Sequence, residues 1–323
     1  MSIITKVLNK LNGLHYQQEY LCLASELFQN PIHAYLIRGR QIIKDITNEH
    51  LFIGYSPLIF ALTSLRLKEP SSNIEILFSQ QSFQPNELFD AEDALAKLSL
   101  RLIQKHKIDN DRVYYYEGVE GQHHFLSGFH QSIIGLNNRI YNRKTGNVYL
   151  NDNLYKQVQI AYSVPRIISL VTVGSGGSYN LFPTDLHGAV NDQYYVSSLR
   201  LGGEACKQVE TAGKILISQV HTDIYKMVYG LGKNHMQPLK PKGSFAFSES
   251  LSNTFNLPLP QSALKYHELS LLESSDHGIH KLLLYKIISN ETINNDPRTL
   301  AHIHNSYATW RYHHELPGNY LLR

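Results

Sequence analysis

Runs of β-branched and aromatic residues dominate the chain after residue 165, with polar positions between them. Strands are typically four to eight such residues long and bounded by turn-forming residues. This pattern predicts five strands, at Arg166–Val173, Tyr194–Leu199, Lys214–Val220, Ala263–Leu272 and His280–Ser289. Many strands with few helices favour a barrel or a sandwich over a doubly wound sheet.

Two short helices are predicted between these strands. The first covers Glu204–Ala212, and Gly213 can end it because glycine adopts the left-handed conformation without strain. The second follows Thr222 or Asp223, since either side chain can cap a helix N-terminus. The glycine- and serine-rich stretch Gly174–Ser178 is typical of a turn.

The region before residue 152 has a mixed pattern. Scattered leucines predict a helix over residues 4–28, and residues 34–46 alternate like two strands around Gly39. Asp90, with Asp93 three residues later, has the spacing of a helix N-terminus, and the leucines that follow predict a helix. We therefore expect an α+β domain.

Strands are also predicted for Arg112–Gly121 and across Ser132–Leu150, with turns at Asn137-Asn138 and at 144–147. The polar stretch Asn151–Lys156 then suggests a boundary. We place an α+β domain of unknown role at residues 1–152 and a mainly β domain at residues 153–323.

Composition excludes several classes of protein. The 323 residues are 42% hydrophobic and 18% charged, with two cysteines and a net charge of +3. Two cysteines cannot form a disulfide framework, and the low charge without a basic cluster argues against nucleic-acid binding. The longest apolar run is far shorter than the ~20 residues that span a bilayer. We expect a soluble, cytoplasmic protein without a membrane segment.

Sharp catalytic signatures are absent from the sequence. The stretch from Gly174 to Tyr179 lacks the third glycine of a dinucleotide fingerprint, and neither a phosphate-binding loop nor a G-x-S-x-G elbow occurs. The 17 histidines include close pairs such as His302 and His304, but no H-E-x-x-H or paired cysteine spacing accompanies them. We expect no metal site.

Four segments in a fixed order resemble the flavin reductase-like family, whose fold is the FMN-binding split β-barrel. The resemblance covers residues 155–315, about half of the chain. The segments are PRIISLVTV leading to NLFPT, YYVSSLRLGGEACKQVETAGKILISQV, LPLPQSALKYHELSLLE, and DHGIHKLLLYKI. This resemblance implies a mainly β fold, a flavin cofactor and a homodimer.

The resemblance also implies which residues contact the cofactor, which would be FMN or FAD. Arg200 offers a fork for phosphate oxygens just before a short helix, and a turn at Asn180–Thr184 would present backbone groups to the flavin ring. His280 would lie near the flavin or the nicotinamide of NAD(P)H, and no side chain is assigned as the catalytic acid or base. The implied cofactor contacts are Thr172, Asn180, Leu181, Phe182, Pro183, Thr184, Ser197, Ser198, Arg200, Cys206 and His280.

Three positions depart from the family pattern: Asp185 stands where a serine is usual, Ala205 or Cys206 where a hydroxyl is usual, and Tyr285 where a glycine is usual. A carboxylate at position 185 would repel a phosphate unless it turns away. Two functions therefore remain open. One is an NAD(P)H-dependent flavin oxidoreductase, and the other is a non-catalytic barrel that binds flavin or another ligand, or serves as a dimerisation platform. The electron acceptor and the nucleotide preference are not determined by the sequence.

Overall fold

In a computed structural model of the chain, the residues described are 13–16, 18–24, 32–63, 71–108, 111–141 and 150–316. They are mostly β, arranged in several antiparallel sheets. The chain forms two compact units. Unit 1 comprises Met1–Leu21, Phe28–Pro165 and Ile303–Asn319, and unit 2 comprises Cys22–Leu27, Arg166–His302 and Tyr320–Arg323. The predicted domain boundary between residues 152 and 153 stays a prediction.

Unit 1 contains a seven-stranded antiparallel sheet with the strand order β3-β2-β6-β7-β8-β5-β4. Its strands are β2 (His33–Arg38), β3 (Gln41–Asp45), β4 (His50–Tyr55), β5 (Leu58–Thr63), β6 (Asn73–Ser79), β7 (Ala96–Ile108) and β8 (Asp111–His123). Among the described residues, the helices of this unit are α1 (Gly128–Tyr141), α2 (Asp152–Ala161) and α5 (Asn305–His313). Strands β1 (Tyr20–Ala24) and β20 (Leu300–His304) contain residues of both units.

Unit 2 is built around an eight-stranded antiparallel sheet with the order β12-β13-β19-β18-β14-β10-β11-β15. Its strands are β10 (Ser169–Ser175), β11 (Ser178–Thr184), β12 (His187–Ala189), β13 (Tyr194–Arg200), β14 (Lys214–Val220), β15 (Lys240–Pro241), β18 (Ala263–His277) and β19 (His280–Thr292). Outside this sheet, β16 (Phe247–Leu251) pairs with β17 (Pro258–Pro260), and β9 (Arg166–Ile167) pairs with β20.

Helix α3 (Glu204–Ala212) covers one face of this sheet. Its Cys206 and Val209 pack with Val171 of β10, Ile215 of β14 and Leu283 of β19 in one buried cluster. Burying a valine-sized side chain stabilises by roughly 1.5–3 kcal/mol, so a few such contacts hold a nine-residue helix that would be marginal alone. A second helical stretch is formed by α4 (Tyr225–Gly230), flanked by 3₁₀ turns.

Several predicted elements of unit 2 are confirmed. The strands at residues 194–200 and 214–220 and the helix Glu204–Ala212 occur as predicted, and Gly213 ends that helix with φ of 62°. The second helix is also present, but neither Thr222 nor Asp223 caps it. Both lie in the preceding 3₁₀ turn, whose N-cap is His221, and the N-cap of α4 is Ile224. The predicted turn at Asn180–Thr184 is wrong, because these residues form β11, paired along its length with β10.

Two predictions for the first 110 residues are wrong. Residues Tyr20–Ala24 of the helix predicted at 4–28 form β1, and residues 1–12, 17 and 25–28 lie outside the described residues. Asp90 and Asp93 do form a reciprocal cap, but only a three-residue 3₁₀ turn follows. Leu98 and Leu102 beyond it lie in β7, because this strand forms hydrogen bonds on both sides, with β6 and β8.

The region predicted as strands at Ser132–Leu150 is helical up to Tyr141, so Asn137-Asn138 is not a turn. The predicted turn at 144–147 lies outside the described residues. The Asn151 side chain accepts from the Leu154 N–H and caps α2. No helix within the described ranges is both long enough and apolar enough to cross a membrane.

We expect Gly213→Ala to destabilise the protein by about 1 kcal/mol, because an L-residue is strained in the left-handed conformation. An added Cβ would meet no atom within 4 Å, so the effect is purely conformational. The free energy of unfolding from urea titration measures it. Gly243→Ala is the matched control, since that site is equally open and Gly243 is not among the positive-φ residues. Equal stability of the two variants would contradict the expectation.

Candidate functional site

The register between β13 and β19 determines on which face of the sheet each predicted contact residue lies. Ser197 points into the core, where its hydroxyl donates to the Tyr285 hydroxyl oxygen at 3.3 Å. Ser198 points to the opposite face, with its Oγ 3.4 Å from the His280 Nδ1. Arg200 lies directly across from His280 in the ladder. Strand geometry therefore places Ser198, Arg200 and His280 on one face and leaves Ser197 on the other.

Arg200 ends β13 immediately before α3. Its side chain is exposed, and no described contact forms a hydrogen bond or an ion pair with its guanidinium. Gly202 has φ of 78°, and Gly203 is the N-cap of α3 and has no side chain to cap the first N–H groups. The Arg200 guanidinium, which has no described partner, is thus followed in the sequence by the positively polarised N-terminus of α3. This is a combination that favours anions.

His280 is neutral at physiological pH. Burial lowers the pKa of its imidazole to about 4, and the charges of His277 and Arg200 lower it further. A neutral imidazole donates one hydrogen bond and accepts another. His280 can therefore address a polar ring atom, but it adds no positive charge to the site.

Asn180 belongs to a different polar cluster. Its Nδ2 donates to the Gln208 Oε1 at 2.7 Å and to the Asn234 carbonyl at 3.0 Å. Asn234 in turn donates to the Leu181 carbonyl at 2.8 Å. These bonds connect β11 to α3 and to the 3₁₀ turn at 231–236. Asn180 lies on the core face of the sheet and Ser198 on the other face, so the structure does not bring them together.

Most of the other predicted contacts are packing positions. Phe182 and Cys206 are in the core cluster under α3, and Leu181 is buried in a second cluster on the opposite face. Burial, followed by the Glu210 carboxylate, raises the pKa of the Cys206 thiol to about 11, which leaves it protonated and unreactive. Thr172 is fully buried, and its hydroxyl has no partner among the described residues.

The last two predicted contacts, Pro183 and Thr184, form hydrogen bonds at the end of β11. The Thr184 hydroxyl accepts from the Leu186 N–H at 3.4 Å, and the Pro183 carbonyl lies 2.8 Å from the His235 Nε2. Two of the departures from the family pattern have a packing explanation in the same unit. Ala205 and Tyr285 both fill the buried cluster under α3.

The third departure, Asp185, is part of a group that sequence reasoning missed. Its carboxylate lies 3.0 Å from the His302 Nδ1, and the His302 Nε2 is hydrogen-bonded to the Tyr229 hydroxyl. The Arg166 guanidinium donates twice to the Asp185 carbonyl, at 3.1 and 2.9 Å. Because Asp185 and His302 are 117 residues apart, no local spacing could have indicated this contact.

Metal-ligating side chains do not cluster in the part of the chain that the structure describes. No family model matches the sequence. No curated protein matches it either.

Solved flavin reductases do match the fold over about half of the chain. BorF, the flavin reductase component of a bacterial two-component tryptophan halogenase, is 17% identical, with 47% of this chain and 94% of BorF covered and a TM-score of 0.40. The styrene monooxygenase flavin reductase of Pseudomonas putida S12 is 16% identical, with 46% and 93% covered and a TM-score of 0.39. The NADH:FAD oxidoreductase SgcE6 of Streptomyces globisporus C-1027 is 12% identical, with 47% and 89% covered and a TM-score of 0.40.

The resemblance identified in the sequence is confirmed to this extent: the matched structures include flavin reductases. At these identities and TM-scores, the function of this chain has to be argued from its own residues.

We expect unit 2 to lose stability as the pH falls from 7 to 5, with His187 as a major cause. Burial lowers the pKa of His187 to about 4, and the Arg166 charge lowers it further, while Asp185 and the Ile167 carbonyl oppose them. An unfolded histidine has a pKa near 6.5, so the stabilisation is complete above that pH and is lost as protons bind the unfolded chain. One such histidine contributes a loss of about 2 kcal/mol between pH 7 and pH 5.

The test compares the free energy of unfolding at the two pH values in the native chain and in His187→Gln. The variant loses the contact with the Tyr195 hydroxyl at 2.6 Å, so it is less stable at pH 7. The decrease in its free energy of unfolding between pH 7 and pH 5 should nevertheless be smaller than in the native chain. An equal pH dependence in the native chain and His187→Gln would exclude the assignment.

Proposed function

We propose that residues 153–323 form an FMN-binding split β-barrel that acts as an NAD(P)H-dependent, flavin reductase-like oxidoreductase. The observation that carries the proposal is the shared face of Ser198, Arg200 and His280, at the point where β13 leads into α3. In this proposal the protein is a cytoplasmic homodimer, and FAD is an alternative to FMN.

The phosphate would be held by Arg200 and the first N–H groups of α3. A guanidinium matches two phosphate oxygens at once, and the helix end adds favourable partial charge. Glu204 at the start of the helix would oppose an anion, but its carboxylate is paired with the Lys207 ammonium at 2.7 Å. Asp185 is also occupied, because its carboxylate is bound to His302. The residues present therefore fit a phosphate.

The flavin ring would be addressed by Ser198 and neutral His280, which can donate and accept hydrogen bonds. A bound flavin would supply the redox chemistry by accepting a hydride from the nicotinamide. The protein would then contribute binding and orientation, and no side chain would need to act as an acid or base in that step.

A second candidate function is a non-catalytic barrel that binds flavin or another ligand, or that serves as a dimerisation platform. One observation favours it: Thr172, Asn180, Leu181 and Phe182, all expected to contact the ring, are fully buried. Side chains used for packing offer little surface to a cofactor.

A single spectrum separates these functions. Purified full-length protein incubated with FMN and then desalted should absorb at about 450 nm, and anaerobic NADH or NADPH should bleach this band, because the nicotinamide reduces the flavin. Colour without bleaching by either nucleotide would support the non-catalytic barrel. Protein that retains no FMN would contradict both flavin functions.

We expect Arg200→Ala to weaken FMN binding by about 1–3 kcal/mol, since a charge-assisted pair to the phosphate is lost. Binding of riboflavin, which has no phosphate, should change much less. Fluorescence titration measures both affinities. Arg298→Ala is the control, because Arg298 is also an arginine of unit 2 and is paired with Asp296. Equal FMN affinity in the native chain and Arg200→Ala would remove Arg200 from the site.

A further inference from the structure

Helices α1 and α2 of unit 1 line a partly open cavity of about 300 Å³. Tyr155, Lys156 and Gln159 line it from α2, at spacings of three and four residues that share one helix side. Ile134 and Arg139 line it from α1. The cavity is distinct from the flavin site proposed above, since all these residues belong to unit 1.

The side-chain NH₂ group of Gln159 is a hydrogen-bond donor at this cavity. The residue is 3% exposed, and its Oε1 lies 3.0 Å from the His123 Nε2. Burial lowers the pKa of His123 to about 4, so the ring is neutral and can donate its single N–H to this oxygen. No described hydrogen bond uses the NH₂ group of Gln159. The NH₂ group is therefore available to an acceptor inside the cavity.

The charges around the cavity favour an anion. Lys156 is half-buried and forms no ion pair within the described ranges, and its charge contributes to the lowered pKa of His123. Arg139 adds a second cation to the wall. One carboxylate opposes them: Glu19 accepts from the Tyr155 hydroxyl at 3.0 Å and so lies behind the phenol. Lys156 and Gln159 line the cavity themselves, whereas Glu19 is not among the lining residues.

Beside Gln131, Ser132 and Gly135, the wall has an apolar part. Ile134, Leu136 and the ring of Tyr155 line the same space. A volume of about 300 Å³ lies at the lower end of small-molecule sites and accommodates a body about the size of a phenyl ring. An inorganic anion would leave this apolar surface unused.

We propose that the cavity between α1 and α2 binds a small organic acid, with its carboxylate at Lys156 and the Gln159 NH₂ group and its apolar body against Ile134, Leu136 and Tyr155. This site is independent of the flavin function, so either proposal can fail without the other.

The test uses the full-length protein and benzoate as the probe, with benzamide as its neutral counterpart. Isothermal titration calorimetry should detect benzoate binding and at least tenfold weaker binding of benzamide. Failure of benzoate to bind, or equal binding of benzamide, would overturn the proposal. Binding of inorganic phosphate in place of benzoate would overturn it as well, since the apolar body would then have no role.

Two variants locate the site. Gln159→Glu keeps the side-chain shape and the acceptor for His123 but replaces the donor with a carboxylate, and Lys156→Met removes the cation. Each should weaken benzoate binding at least tenfold. Lys105→Met, at an exposed lysine of the same unit, should leave the affinity unchanged. Circular dichroism spectra and melting temperatures establish that the variants fold. Folded variants of Lys156 and Gln159 that bind benzoate like the native chain would refute the assignment.

Discussion

The pairing of β13 with β19 is the constraint on which the rest of unit 2 depends. An antiparallel ladder fixes the side-chain alternation, and a slip by one residue would exchange the two faces. The observed register sends Ser197 to Tyr285 in the core and Ser198 to His280 on the opposite face. It also fixes where Arg200 leaves the sheet and where α3 begins. The proposed phosphate contacts follow from that one register.

Buried polar groups hold the remaining parts in place. Glu268 of β18 is fully buried, and its carboxylate accepts from the backbone N–H groups of Thr254 and Phe255 and from the Ser289 hydroxyl. Because an unpaired buried carboxylate would be very unfavourable, these bonds tie the loop before β17 to the sheet. The Asp185 carboxylate is likewise hydrogen-bonded, to His302. The carboxylates of Glu268 and Asp185 are thus part of the internal structure, although the sequence suggested that Asp185 would repel a phosphate.

The contrast between the two halves of the chain shows where sequence patterns are informative. In unit 2, most local signals agree with the fold: β-branched runs became strands, and Gly213 ended its helix because few other residues adopt that conformation. In unit 1 the strands predicted around Gly39 and at Arg112–Gly121 are present, but other local signals conflicted with the fold. Leu98 and Leu102 have helical spacing, yet β6 and β8 offered hydrogen bonds on both sides, and strand pairing prevailed over local propensity. Asn137 and Asn138 suggested a turn, but α1 continues through them.

The sequence by itself determined several strands and helix α3 after residue 165, the resemblance to flavin reductases, and Arg200 as a cation at a helix start, because these depend on neighbouring residues only. The tertiary structure decided which predicted contacts share a face, since that depends on register between strands far apart in the chain. It alone revealed the contact of Asp185 with His302 and the cavity between α1 and α2. Each of these depends on contacts between side chains of separate elements, and spacing along the chain does not indicate such contacts.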